Sequence, residues 1–192
     1  MENKHLYIIG GCNGAGKTTA SFNILPSILD CKEYVNADEI ARGISPFQPE
    51  KVSIEAGRIM LDRINELLER NQDFAFETTL ASRSFASTIK YAKGKNYKVI
   101  LIYFWLNSTD LAIQRVKNRV EEGGHNIPLE TIVRRYYSGI KNLFTQYIDI
   151  CDMVLIYDNS TNLPELIFEK QFGCQINIYN SETFKFIKSL TL

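Results

Sequence analysis

The chain has 192 residues, of which 45% are hydrophobic and 23% charged, enough apolar material for one core and enough to exclude disorder as its main state. Lysine plus arginine and aspartate plus glutamate number 22 each, so no global field gathers nucleic acid or an anionic membrane, and any polyanion site is local. The longest apolar stretch, Val99 to Leu106, is far short of the roughly 20 residues of a membrane helix, and the start carries no export signal, so a cytoplasmic protein with no membrane partner is expected.

Residues 5–10 form a β-branched and aromatic run that predicts a strand ending in Gly10-Gly11, and Lys17 to Leu29 then reads as a helix limited by Pro26. A short strand follows at Tyr34-Val35-Asn36. After the loop Ser45-Pro46-Phe47-Gln48-Pro49, the positions Ile54, Gly57, Leu61, Ile64 and Leu68 predict a helix over about residues 50–70. Asp73 to Thr78 predicts a strand, Ser82 to Lys95 a helix, and Tyr97 to Leu106 a strand covered on both faces and central in a parallel sheet. Ser108-Thr109-Asp110 opens a helix that runs to Glu121. The segment Gly123-Gly124-His125-Asn126-Ile127-Pro128 breaks it before a second helix over Leu129 to Tyr147.

Met153 to Tyr157 predicts the fifth strand of a parallel sheet whose crossovers make an α/β layered domain. Beyond Asp158-Asn159-Ser160 the pattern changes to two strands, Leu166 to Gln171 and Cys174 to Tyr179, and a short helix ending near Leu190. This tail predicts a hairpin packed on the domain edge. The four cysteines (Cys12, Cys31, Cys151, Cys174) are scattered with no Cys-x-x-Cys pair, which points to reduced thiols rather than zinc or disulfides.

The strongest chemical signal is Gly11-Cys12-Asn13-Gly14-Ala15-Gly16-Lys17-Thr18, a phosphate loop between a predicted strand and a predicted helix. Its glycines let successive N–H groups face phosphate oxygens, and the helix that begins at Lys17 adds its positive end. Lys17 reaches the β and γ phosphates, Thr18 supplies a hydroxyl to Mg²⁺, and Thr19 completes the nucleotide-binding run. Cys12 has two readings, a thiolate favoured by loop dipoles or a thiol turned into the core.

A phosphate loop does not by itself separate a kinase, a motor and a switch. Asp38, after the second strand, is placed to accept a proton from an attacking hydroxyl, or alternatively to cap the next helical turn. Glu77 ends the third strand ahead of Thr78-Thr79, where it either holds an acceptor or water on magnesium or is a solvated strand end. The strand to Leu106 ends in Trp105-Leu106-Asn107, not in the aspartate of a Walker B segment, which weakens the motor and GTPase readings. Arg115 and Arg119, four apart on one helix face, and Arg134 and Arg135 on the next helix are candidate positive charges over the transferring group, on either side of a lid.

The phosphate loop, Asn36-Ala37-Asp38, Phe76-Glu77-Thr78-Thr79-Leu80, Arg115-Val116-Lys117-Asn118-Arg119-Val120-Glu121 and Gly123-Gly124-His125-Asn126-Ile127-Pro128, in this order, resemble the zeta-toxin-like P-loop kinases over about residues 5–160. The resemblance implies a three-layer P-loop kinase-like fold: a mainly parallel five-stranded sheet, helices on both faces, a helical lid near 108–147 and a C-terminal hairpin. The core would take residues 1–160 and the hairpin and short helix 161–192. It further implies ATP with Mg²⁺ as donor and transfer of the γ-phosphate to a hydroxyl, in this family on a UDP-activated amino sugar. Asp38 then resembles the general base, Glu77 and Thr79 acceptor-binding positions, and Arg119 the first lid arginine. An antitoxin protein is the partner that the resemblance suggests, beside a small-molecule acceptor.

One departure stands out. Where the longer zeta toxins carry a second lid arginine three residues before the lid proline, this chain has His125, which at its ordinary pKa is only partly charged at neutral pH. Arg134 or Arg135 then supplies the missing charge, or this lid works differently, with His125 beside the acceptor. Two other readings remain open from sequence: a polynucleotide-end kinase, against which the absence of a basic stripe speaks, and a nucleotide-controlled binding module with little turnover.

Overall fold

In the computed structural model, which describes residues 4–124, 126–173 and 175–191, the most apolar run of the chain becomes the middle strand of a seven-stranded sheet. This strand, β4 (Tyr97–Trp105), is buried at every residue except the half-buried Lys98, as a strand covered on both faces must be. On one side it pairs with β1 (Lys4–Gly11), which pairs with β3 (Phe74–Thr78), which pairs with the two-residue edge strand β2 (Tyr34–Val35). On the other side lies β5 (Met153–Asp158). These five are parallel, as the alternation of strands and helices predicts.

The sheet does not stop at five strands. Beyond β5, the strands β6 (Glu165–Lys170) and β7 (Ile176–Ile178) pair antiparallel and continue the same sheet. The connection from β5 to β6 is too short for a crossover helix, so the chain can only return antiparallel. Cys174, expected to open β7, lies outside the described residues.

The helices are α1 (Lys17–Ser27), α2 (Ala37–Ile44), α3 (Ser53–Glu69), α4 (Phe85–Gly94), α5 (Thr109–Glu121), α6 (Leu129–Asn142), α7 (Ile148–Ile150) and α8 (Ser181–Ser189). Ser108 caps α5 by accepting from the Leu111 N–H at 3.2 Å. The predicted helix to Tyr147 changes to a π-helical turn over Leu143–Tyr147 before α7. Helix α2 was not expected from sequence, although Ala37, Ile40, Ala41 and Ile44 stand at helical spacing: the stripe is only two turns long and Ala41 is its one buried residue. Helix α8 closes the tail against the sheet, with Phe184 stacked on Phe168 of β6 at 4.9 Å between ring centroids. Among the described residues no helix is long and apolar enough to cross a membrane.

Parallel strands deliver all their carboxyl ends to one edge, and in such sheets ligands sit there. The register sets Glu77 beside Ile9 and Thr78 beside Gly10, while Val35 pairs with Phe76. The phosphate loop after β1, Asn36 to Asp38 after β2 and the end of β3 therefore meet at one place.

Because β6 belongs to the sheet, its fully buried Ile167 should be part of the common core. Ile167→Ala is expected to lower stability by about 2–5 kcal/mol within a single cooperative urea transition. A separate early transition for the tail would contradict this.

Candidate active site

The phosphate loop leaves β1 and enters α1 through Gly16, whose φ of 80° makes it the left-handed residue at the helix start. Lys17 is buried, with 6% of its side chain exposed. Its Nζ donates to the Cys12 carbonyl at 2.9 Å and lies 3.4 Å from Glu77 Oε1. The other oxygen of Glu77 is the meeting point of three donors. Thr18 Oγ1 donates to Oε2 at 2.8 Å, Asn36 Nδ2 at 3.1 Å, and the Tyr34 hydroxyl also donates to it. Burial, with Glu77 second, pushes the Tyr34 hydroxyl well above its ordinary pKa, so it stays a donor. Thus Glu77 is not a solvated strand end: 9% of its side chain is exposed, and it bridges loop, β2 and β3.

Asn36 also starts α2, its side chain accepting from the Asp38 N–H at 2.8 Å. The capping role belongs to Asn36, which leaves the Asp38 carboxylate to the cavity. That cavity has two lobes. The first, about 280 Å³, is walled by the phosphate loop, Thr19, the α5 face that carries Arg115, Asn118 and Arg119, and Glu122 just past the helix end. The second, about 180 Å³, is walled by Ala37, Met60, Thr78, Thr79, Phe85 and Arg135. Asn13, Lys17, Asp38 and Glu77 line both.

The arginines are not equivalent. Arg119 Nε and Nη2 are buried without a hydrogen-bond partner among the described residues. Arg115 Nη2 donates to the Ser160 carbonyl at 3.2 Å. Arg135 Nη1 donates to Asn13 Oδ1 at 3.2 Å, and burial draws its pKa below the ordinary value while Asp38 opposes the shift. Arg134, the other candidate on α6, is exposed and lines neither lobe. Of the two adjacent arginines only Arg135 reaches the site. His125 lies outside the described residues.

Sequence reasoning did not single out Tyr34 or Glu122, and took Asn36 and Asn118 only as parts of motifs. Asn118 and Glu122 follow Arg115 at helical spacing, so the face that carries Arg115 and Arg119 brings them along. Cys12 is turned into the core, and burial pushes its thiol up to about 11 despite the opposing pull of Lys17.

Comparison with known proteins bears on family and fold. The family model described as Zeta toxin matches residues 1–163. An uncharacterized protein of Haemophilus influenzae is 33% identical over 138 residues, covering 71% of this chain and 94% of its own. The crystal structure of AvrRxo1-ORF1:-ORF2 with ATP superposes on 99% of this chain with a TM-score of 0.77 at 17% identity. This chain spans 65% of the length of that one. A structure from the PezAT toxin-antitoxin system of Streptococcus pneumoniae gives a TM-score of 0.67 at 16% identity, over 99% of this chain and 86% of that one. At these identities the structural matches establish the shared fold.

The raised Cys12 pKa has a direct consequence. At pH 8 the thiol is protonated, the thiolate appearing only as pH approaches about 11, and thiolate is the form that alkylates. Iodoacetamide at pH 8 is expected to leave Cys12 of the native protein unmodified, as read by site-resolved mass spectrometry; rapid labelling would contradict the buried placement.

Proposed function

Because the chain belongs to the zeta toxin family, we propose that it is an ATP-dependent phosphotransferase that moves the γ-phosphate to a hydroxyl of a small molecule, with a UDP-activated amino sugar as acceptor. The observation that carries this reading is the two-lobed cavity with Lys17, Asp38 and Glu77 on the shared wall. A donor phosphate in the loop lobe and an acceptor hydroxyl in the other would meet at that wall, and phosphoryl transfer depends mainly on such positioning.

In this mechanism the loop residues Gly11 to Thr19 hold the ATP phosphates, with Lys17 countering their charge. Asp38 takes the proton of the acceptor hydroxyl as its oxygen bonds to the γ-phosphorus and the bond to the β–γ bridging oxygen breaks, releasing ADP. Thr18 and Glu77 offer hard oxygen donors 2.8 Å apart on the donor lobe, a set that suits Mg²⁺ when nucleotide phosphates complete its shell. Bound there, Mg²⁺ would neutralise phosphate charge. Arg119 and Arg135 face the transferring group from α5 and α6, while Thr79, beside Glu77, contributes to the acceptor lobe.

Arg135 takes the place of the second lid arginine in this proposal, and Arg134 has no part in it. One similar structure comes from a toxin-antitoxin system and another pairs AvrRxo1-ORF1 with -ORF2, which supports an antitoxin protein as partner. A cytoplasmic location follows from the need for ATP.

The test is ADP release from Mg-ATP with and without a pool of UDP-sugars. Wild type should be stimulated by the pool, and Asp38→Asn should lose at least about 100-fold of that stimulation while ATP binding measured by calorimetry is largely retained. Equal stimulated turnover in the variant overturns the base, and no stimulation by any UDP-sugar overturns the acceptor class. A paired comparison addresses the arginines. Arg135→Ala should lower stimulated kcat/KM by roughly 100-fold or more, whereas exposed Arg134→Ala should stay within about threefold.

A further inference from the structure

The turn after β5 reaches the phosphate loop, although it lies 144 positions along the chain from the residue it touches. Asn159 Nδ2 donates to the Ala15 carbonyl at 2.7 Å. Only the amide nitrogen can donate to a carbonyl, so the orientation of this side chain is settled by its partner. We propose that Asn159 is a positioning residue for phosphate binding: by holding the Ala15 carbonyl away from the cavity it turns the next N–H, that of Gly16, toward the anion.

The reasoning is one of peptide geometry. The unit between Ala15 and Gly16 is planar and trans, so its carbonyl and its N–H point in opposite directions. Fixing the carbonyl on Asn159 fixes the N–H on the other side, and Gly16 lines the donor lobe. Without such a hold, a loop peptide preceding a left-handed glycine can rotate and present an oxygen to the phosphates instead.

Two further observations show that the contact is built in. A Cβ at Gly16 would come within 2.6 Å of Asn159 Nδ2, so the glycine is needed for the amide to approach as well as for its φ of 80°. Asn159 itself is anchored. Its N–H donates to the Trp105 carbonyl at 2.9 Å, and the neighbouring Ser160 accepts from Asn107 N–H at 2.8 Å and from Arg115 at 3.2 Å. The hydrogen bond therefore starts from a fixed point on β4 and α5, and the loop peptide is the part that yields.

This inference rests on the reading of the loop as a nucleotide site, and two ligands separate them. Binding of Mg-ATP and of inorganic tripolyphosphate with Mg²⁺ would be measured by calorimetry on the full chain. The variants are Asn159→Asp, which keeps the shape but sets an oxygen against the carbonyl, and Asn159→Ala, which removes the donor without adding charge.

Both ligands should weaken by the same factor, about fivefold for alanine and tenfold or more for aspartate, with the melting temperature of the ligand-free protein unchanged. If Asn159 instead touches the base, ATP alone weakens, and the proposal fails. It also fails if neither ligand is affected, or if weakening follows a lowered melting temperature of the ligand-free protein. Should the aspartate variant not fold, the alanine variant decides on the same criteria. A wild type that binds neither ligand overturns the nucleotide reading and this inference with it.

Discussion

A carboxylate with 9% of its side chain exposed is unfavourable unless its oxygens find donors, since burial penalises the charge by several kcal/mol. Glu77 finds four: Thr18, Tyr34 and Asn36 at one oxygen and the Lys17 ammonium beside the other. These donors belong to the start of α1 and to the β2–α2 junction, so satisfying one charge at the end of β3 aligns three segments that are distant in sequence. The alignment makes the site. The hydroxyl and ammonium of the phosphate loop are held on one side of Glu77, and the cap that releases Asp38 into the cavity is held on the other. Loop, base candidate and acceptor lobe share a wall because they share this anchor.

Glu77 was legible from sequence as a carboxylate ending the third strand, but the strand order that sets it beside the phosphate loop was not. Two strands flank β1, and a search for a loop-facing carboxylate at the end of β4 meets Trp105 and Leu106, both buried. The carboxylate comes from β3, on the opposite side of β1. Strand identity is legible in an apolar run, but strand order arises from which crossovers pack, and that is a tertiary outcome. The tail shows the same limit. Its two strands can be read from composition, whereas their place as the sixth and seventh strands of one sheet depends on the open edge of β5.

Other details were within reach. Asn36 stands three residues before Glu39, a capping pattern that marks a helix start, and with the short stripe Ala37, Ile40, Ala41 and Ile44 it would have revealed α2. The choice between Arg134 and Arg135 was also latent in spacing. Ile132, Tyr136, Gly139 and Ile140 are the buried side of α6, and Arg135 lies three after the first and four before the third. Adjacent helix residues point about 100° apart, so Arg134 had to face solvent. Tyr34 carried no such signal: an aromatic in a short strand reads as core until its hydroxyl is seen on Glu77.

Three arginines face the cavity, and their environments differ in a way that bears on charge transfer. Arg115 and Arg135 already donate to a carbonyl and to an amide oxygen. Arg119 has two buried nitrogens with no such acceptor among the described residues, and a buried cation so placed is costly until an anion arrives. The backbone holds it there. Gly124 N–H donates to the Arg119 carbonyl at 2.8 Å, and a Cβ at Gly124 would come within 2.8 Å of Arg119 Cγ. The glycine pair that ends α5 is therefore more than a break between helices: it lets the chain turn closely over the stem of Arg119. In the proposed transfer, this guanidinium would gain most of the three from a phosphoryl group, because among the described residues its two buried nitrogens have no protein acceptor to give up.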